Sequence, residues 1–154
     1  MSEPIYLVNP DSGTLEKVLP VSFSDIGIRE RKDLQEWVVR NPELLGEKLY
    51  ILTPEYDRFD KSNRRLDILA LDAQGALVVV ELKLDVKSSH ADLQALRYAA
   101  FFSSFRMEDA IEVAAEFRSI DADEVAAEIA AFLGSDEDDL PDLDNHPRII
   151  IAAG

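Results

Sequence analysis

Hydrophobic and polar positions follow two different periods along the 154 residues, and the points where the period changes predict the elements. "PIYLVNPDSGTLEKVLPV" holds two short apolar segments around the turn signal Asn9-Pro10-Asp11-Ser12-Gly13, which predicts a hairpin appended to the domain. In "DIGIRERKDLQEWVVRNPELLG" the apolar residues Leu34, Trp37 and Val38 recur at helical spacing. That pattern predicts a helix with Asp25 as N-cap, Trp37 in the core and a stop at Asn41-Pro42. Three strand-like stretches follow, "KLYILTPEY", "RRLDILALD" and "ALVVVELKL". The helical period then returns in "SSHADLQALRYAAFFSSF", with Leu93, Leu96 and Ala100 as the apolar stripe and Ser88 or Ser89 as cap. "MEDAIEVAAEFRSI" and "DADEVAAEIAAFLG" predict two further helices, and "SDEDDLPDLDNHP" an acidic loop. "RIIIAA" predicts a last strand, buried because it is continuously apolar.

The order helix, three strands, helices, strand points to one α/β domain with a central mixed sheet flanked by helices. Its parts are an N-terminal hairpin extension (1–24), a core (25–105), acidic helices and loop (106–146) and a last strand (147–154). There is no cysteine, so no disulfide can form, which fits a reducing compartment. "MSEPIYLVNP" lacks a basic segment followed by an apolar one, and no window approaches the roughly 18 apolar residues of a membrane span. The expectation is a cytoplasmic protein with no membrane association.

The net charge of −15 argues at first against a nucleic-acid partner. Its distribution changes that reading. Residues 108 to 144 hold 14 acids against Arg118 alone, a balance of −13, so the remainder carries 17 acids and 15 bases, or −2. Local basic clusters flank the central apolar run, with Arg58, Lys61, Arg64 and Arg65 before it and Lys83 and Lys87 after it.

Inside that run, "RRLDILALDAQGALVVVELKLD" carries two charges where a buried strand should have none, Glu81 and Lys83. An unpaired charge in a protein interior costs several kcal/mol or neutralises itself. A three-residue loop Ala73-Gln74-Gly75, closed by Gly75 in the left-handed region, pairs Leu71 with Leu77 and Leu69 with Val79, and sets Asp67 opposite Glu81. Side chains alternate along strands, so Asp67, Glu81 and Lys83 project from one face. Two facing carboxylates repel, and a divalent cation between them removes the penalty. Oxygen ligands suit Mg²⁺, and a neighbouring lysine can orient a water and stabilise charge on a phosphate.

The pattern Asp67, thirteen residues, then Glu81-Leu82-Lys83 resembles the D...ExK signature of the PD-(D/E)XK nuclease superfamily, and the element order resembles its αβββαβ core. Gln94 and Tyr98 in "QALRY" are similar to the QxxxY motif of the RecB-like branch. "ERKDLQEWVVRNPELLG" and "RLDILALDAQGALVVVELK" further resemble NucS-type endonuclease-like domains. The resemblance covers roughly residues 28 to 105. It implies a restriction-endonuclease-like fold and a DNA endonuclease using Mg²⁺ or Mn²⁺. Asp67, Glu81 and the Leu82 carbonyl would be metal ligands, Lys83 the catalytic lysine, and Gln94 and Tyr98 further active-site groups. In many members a glutamate of the first helix joins the metal. Glu30 and Glu36 both qualify by position, and at about 100° per residue Glu30 shares the face of Leu34 and Trp37, so Glu30 is selected. Arg64, Arg65 and Lys87 are expected to contact the nucleic acid. Relatives often continue past the last strand, which implies a further C-terminal domain or a homodimer.

Two other readings stand beside this one: a nuclease-fold DNA-binding module without turnover, and an acidic protein-interaction domain using residues 107 to 133. A structural alternative is a salt bridge between Glu81 and Lys83 at a strand end, with Asp67 paired to Arg65. His90 and His146 lack metal-ligand spacing, and no Ser/His/Asp set, phosphate-cradling glycine loop or zinc pattern occurs.

Overall fold

The computed structural model describes residues 3–23, 25–59, 65–83 and 91–153, without the side chains of Glu30, Arg31, Ala91, Asp92 and Ala153. Its centre is a four-stranded mixed sheet in the order β3-β4-β5-β6, built from Leu49–Tyr56, Leu66–Asp72, Ala76–Lys83 and Asp144–Ala153. The first three strands form an antiparallel meander, and β6 returns parallel to β5. β4 and β5 are apolar on both faces because both faces are covered. On one side Ile68, Ala70, Val78, Val80 and Leu82 pack with Val38 of the short helix α1, Gln35–Arg40. On the other, Leu69, Leu71, Leu77 and Val79 meet three helices: α2 (Ala91–Phe102), α3 (Met107–Arg118) and α4 (Ala122–Leu133). A separate two-stranded hairpin, β1 (Ile5–Asn9) and β2 (Thr14–Val18), is exposed along its whole length.

Several expectations from the pattern are corrected here. The first helix starts later than Asp25, which lies in a turn closed by Ser22. The helical segment opens with a π-helical turn, Glu30–Leu34, and the Arg29 N–H donates to the Asp33 carboxylate (2.7 Å). A π turn holds more residues than an α turn, so it rotates the following side chains away from the phase that a constant 100° step predicts. Gln35 and Val38 therefore turn inward, while Trp37 is 42% exposed and not core.

The stripe of α2 is also displaced. Ala95, Tyr98 and Phe102 are buried, whereas Leu93 and Leu96 are 55% and 58% exposed. Aromatic packing decides this phase: Tyr98 stacks on Phe59 at 4.5 Å and Phe102 meets Tyr56 edge-on at 5.1 Å. Each ring buries about 150–250 Å², more than a leucine offers. β6 begins at Asp144, earlier than expected, and among the described residues is an edge strand paired only to β5, so Ile151 stays 45% exposed instead of buried.

The acidic helices lie between α2 and β6 in sequence, with α3 against β3 and α4 against α3. Arg118 forms a close ion pair with Glu128, and Tyr50 donates to the same carboxylate at 2.6 Å, tying both helices to β3. Burial and the Glu128 charge push the Tyr50 phenol up to about 12. At the far end of the sheet, Arg148 of β6 donates to Asp72 (2.8 Å) and to both oxygens of Glu47. Among the described residues no helix is long and apolar enough to cross a membrane.

Candidate functional site

The β4–β5 connection sets the site. Gly75 adopts φ 86° and its N–H donates to the Asp72 carbonyl at 3.1 Å, the left-handed closure of the loop Ala73-Gln74-Gly75. The Asp72 carboxylate caps that loop through the N–H groups of Gln74 and Ala76, both at 2.9 Å. The resulting register pairs Leu71 with Leu77, Leu69 with Val79 and Ile68 with Val80. There the main-chain ladder stops. Asp67 takes over with its side chain, accepting the Leu82 N–H at 2.8 Å, and so stands beside Glu81.

Glu81 is 1% exposed and Asp67 5%. Alternation along β5 puts Glu81 on the face of Leu77 and Val79, the side covered by α2, because Val80 and Leu82 belong to the opposite cluster. Lys83, on the same face and 19% exposed in its side chain, brings Nζ to 3.6 Å from Glu81 Oε2. Glu81 Oε1 is buried with no hydrogen-bond partner among the described residues. Burial, reinforced by the adjacent Asp67 charge and opposed by Lys83, pushes the Glu81 carboxyl up to about 7. Asp67, Glu81 and Lys83 thus lie together, the two carboxylates buried and the lysine part-exposed. Of the alternative ion-pair reading, the Glu81–Lys83 bridge is present, whereas Arg65 pairs with Glu55 at 2.7 Å and not with Asp67.

Gln94 and Tyr98 stand one turn apart on α2, with Gln94 Nε2 donating to Tyr98 Oη at 2.9 Å. Tyr98 is buried in the cluster on the Glu81 side of the sheet. Leu82 points its side chain to the α1 side. Glu30 heads the π turn, which packs against β5, while its side chain lies outside the described residues. Arg64 and Lys87 lie outside the described residues too, as do Lys61, Ser88, Ser89 and His90. Arg65 is exposed at the entry to β4, where its surface pair with Glu55 is easily exchanged for another anion.

One contributor escapes the sequence pattern. Gln35, 6% exposed, donates through Nε2 to the Asp67 carbonyl at 2.5 Å and fastens α1 to the strand that carries the carboxylate. A glutamine between Leu34 and Trp37 reads as surface unless the π turn is known. Gln35 also lines an open cleft of 620 Å³ with Lys32, Val39, Pro54, Glu55 and Phe117, at the β3 edge. Glu55 in that cleft has φ 54°, a left-handed backbone that costs a non-glycine residue of order 1 kcal/mol or more.

No family model, curated protein or solved structure matches the chain. Among the described residues no three His, Asp or Glu side chains converge on one point. The protein chemistry on offer is therefore two carboxylates, one with an unsatisfied buried oxygen, and a lysine at their open side. Of protein groups, Mg²⁺ ordinarily takes one or two carboxylates, with the remaining positions filled by water and phosphate oxygens.

Proposed function

We propose that the chain is a nuclease domain of the PD-(D/E)XK type that hydrolyses DNA phosphodiester bonds with Mg²⁺ or Mn²⁺. The observation that carries this reading is the burial of two neighbouring carboxylates, Asp67 and Glu81, with Glu81 Oε1 lacking a hydrogen-bond partner among the described residues. A structural ion pair would be expected to satisfy its buried oxygens, because each unmade bond costs about 1–3 kcal/mol or more for a charged group. The order α1, β3-β4-β5, α2 and then β6 supports the reading as an αβββαβ core, with α3 and α4 inserted before the last strand.

In this proposal Asp67 and Glu81 hold the cation, with the Leu82 carbonyl and Glu30 as further donors. The bound ion supplies Lewis-acid polarisation of the phosphate and acidifies a water. Lys83 positions the attacking water and offsets negative charge gathering on the phosphate, a role open to it because its ammonium is part-exposed at the mouth of the cluster. Gln94 and Tyr98, one turn apart on α2 and joined by their hydrogen bond, present a side-chain amide and a ring to the site together. Arg64, Arg65 and Lys87 contact the DNA backbone and fix its register without reading sequence.

Nicking of supercoiled plasmid tests the reading. Wild type should nick with Mn²⁺ or Mg²⁺ and not with chelator, and Lys83→Ala should lose about a hundredfold or more in rate with an unchanged circular dichroism spectrum. Equal rates in the two proteins would refute the assignment. Salt-sensitive DNA binding without cleavage in wild type would instead identify a nuclease-fold binding module.

A further inference from the structure

The helices α3 and α4 bound an open groove of 520 Å³ on the acidic side of the molecule. Its floor is apolar and half-buried, made by Ile111 and Ala115 of α3, Ala126 of α4, and Ile120 between the helices. The rim is exposed and acidic, with Glu108 and Glu112 on α3 and Asp123 on α4. These three carboxylates have no ion-pair partner among the described residues, unlike Glu116 and Glu128, which are held by Arg58 and Arg118. The groove runs from Glu108 to Glu116, about 12 Å at 1.5 Å per residue, or a little over two helical turns.

We propose that this groove docks a cationic amphipathic helix of a protein partner. Positions 108, 111, 112 and 115 recur at the helical spacing that lets one face be read by apolar anchors at i, i+3/i+4 and i+7. Alanines at 115, 122 and 126 leave room for the incoming side chains. The charge decides the occupant. The groove lies in the segment of 108 to 144 with its balance of −13, so an acidic helix or a nucleic acid meets repulsion there and a neutral helix gains no attraction, while lysines or arginines flanking an apolar stripe meet three carboxylates without an ion-pair partner among the described residues. The proposal is independent of the nuclease reading, because none of these residues belongs to the catalytic or metal-holding set proposed above.

The test uses fluorescence anisotropy of the full chain with a labelled 14-residue Leu/Lys amphipathic helical peptide. A scrambled peptide of identical composition and a Leu/Glu counterpart serve as probes of pattern and charge. The expected result is binding of the patterned cationic peptide at least tenfold tighter than the scrambled one, persisting in part at 0.5 M salt because the floor is apolar. E108Q/E112Q/D123N should weaken it at least tenfold, whereas E137Q/D138N/D139N, which removes the same charge outside the groove, should change it less than threefold. All six positions are exposed, so both variants keep the fold. Equal affinity for the scrambled peptide, or equal losses in the two triple variants, would overturn the proposal and leave only diffuse attraction to an acidic surface.

Discussion

Two carboxyls of the central strands, Glu81 and Asp72, are shifted in opposite directions by their surroundings, and each shift has a consequence for stability. The Glu81 carboxyl lies at about 7 instead of its ordinary 4.5, so the native state holds a proton that the unfolded chain has released between those values. Metal-free protein therefore loses stability as pH rises from about 4.5 through 7, at about 1.4 kcal/mol per unit of pKa difference. Glu81→Gln should accordingly stabilise the metal-free protein by about 1–3 kcal/mol at pH 8 and have little effect at pH 4.5. Urea unfolding of both proteins with chelator, across that range, checks it. Asp72 behaves oppositely: burial pushes its carboxyl up, but Arg148 and the Ala76 and Gln74 N–H groups outweigh that and hold it below the usual range. Asp72→Ala removes the loop cap and leaves Arg148 to Glu47 alone, and should cost about 2–4 kcal/mol in the same unfolding assay. Asp67, Glu81 and Lys83 can be read from the residues alone, because charge inside an apolar run is anomalous and a three-residue loop closed by Gly75 counts the register. Gln35 cannot, since its burial depends on a π turn that hydrophobic spacing does not encode.

At the scale of elements, the meander β3-β4-β5 and the helices α2 to α4 follow the written periods, and the differences lie in phase. α2 exposes Leu93 and Leu96 because Tyr98 and Phe102 join the aromatic cluster around Tyr56 and Phe59, a long-range preference invisible to spacing within one helix. β6 reads as a buried strand from Ile149-Ile150-Ile151, yet its edge position leaves one side without a neighbour, which no local pattern reports. The N-terminal hairpin was legible from its turn residues, and all ten strand residues are exposed. Since little apolar surface is buried there, deleting residues 1–21 should shift the unfolding free energy by less than about 0.5 kcal/mol. A drop of several kcal/mol in chemical unfolding would mean that the hairpin packs on the sheet in solution.

For the whole molecule, the charge asymmetry seen in the composition has a definite place: helix α3 against β3, helix α4 against α3, and the loop that leads from them into β6. Neutralising Asp136, Glu137, Asp138 and Asp139 should tighten DNA binding at low salt and have little effect at high salt, since exposed charges are screened beyond about 10 Å at 0.1 M. A gain that persists in high salt would make the loop a direct contact. The central claim concerns the two carboxylates on the other half of the sheet. Thermal melts of wild type, Asp67→Asn and Glu81→Gln, each with chelator and with Mn²⁺, test it most directly, because a ligand raises the melting temperature only through its affinity for the native state. Mn²⁺ should stabilise wild type and lose most of that effect in both variants, while the chelated variants melt at or above wild type at pH 8. Chelated variants that melt below wild type, with no Mn²⁺ response in any of the three proteins, would show an ordinary buried ion pair instead of a metal site.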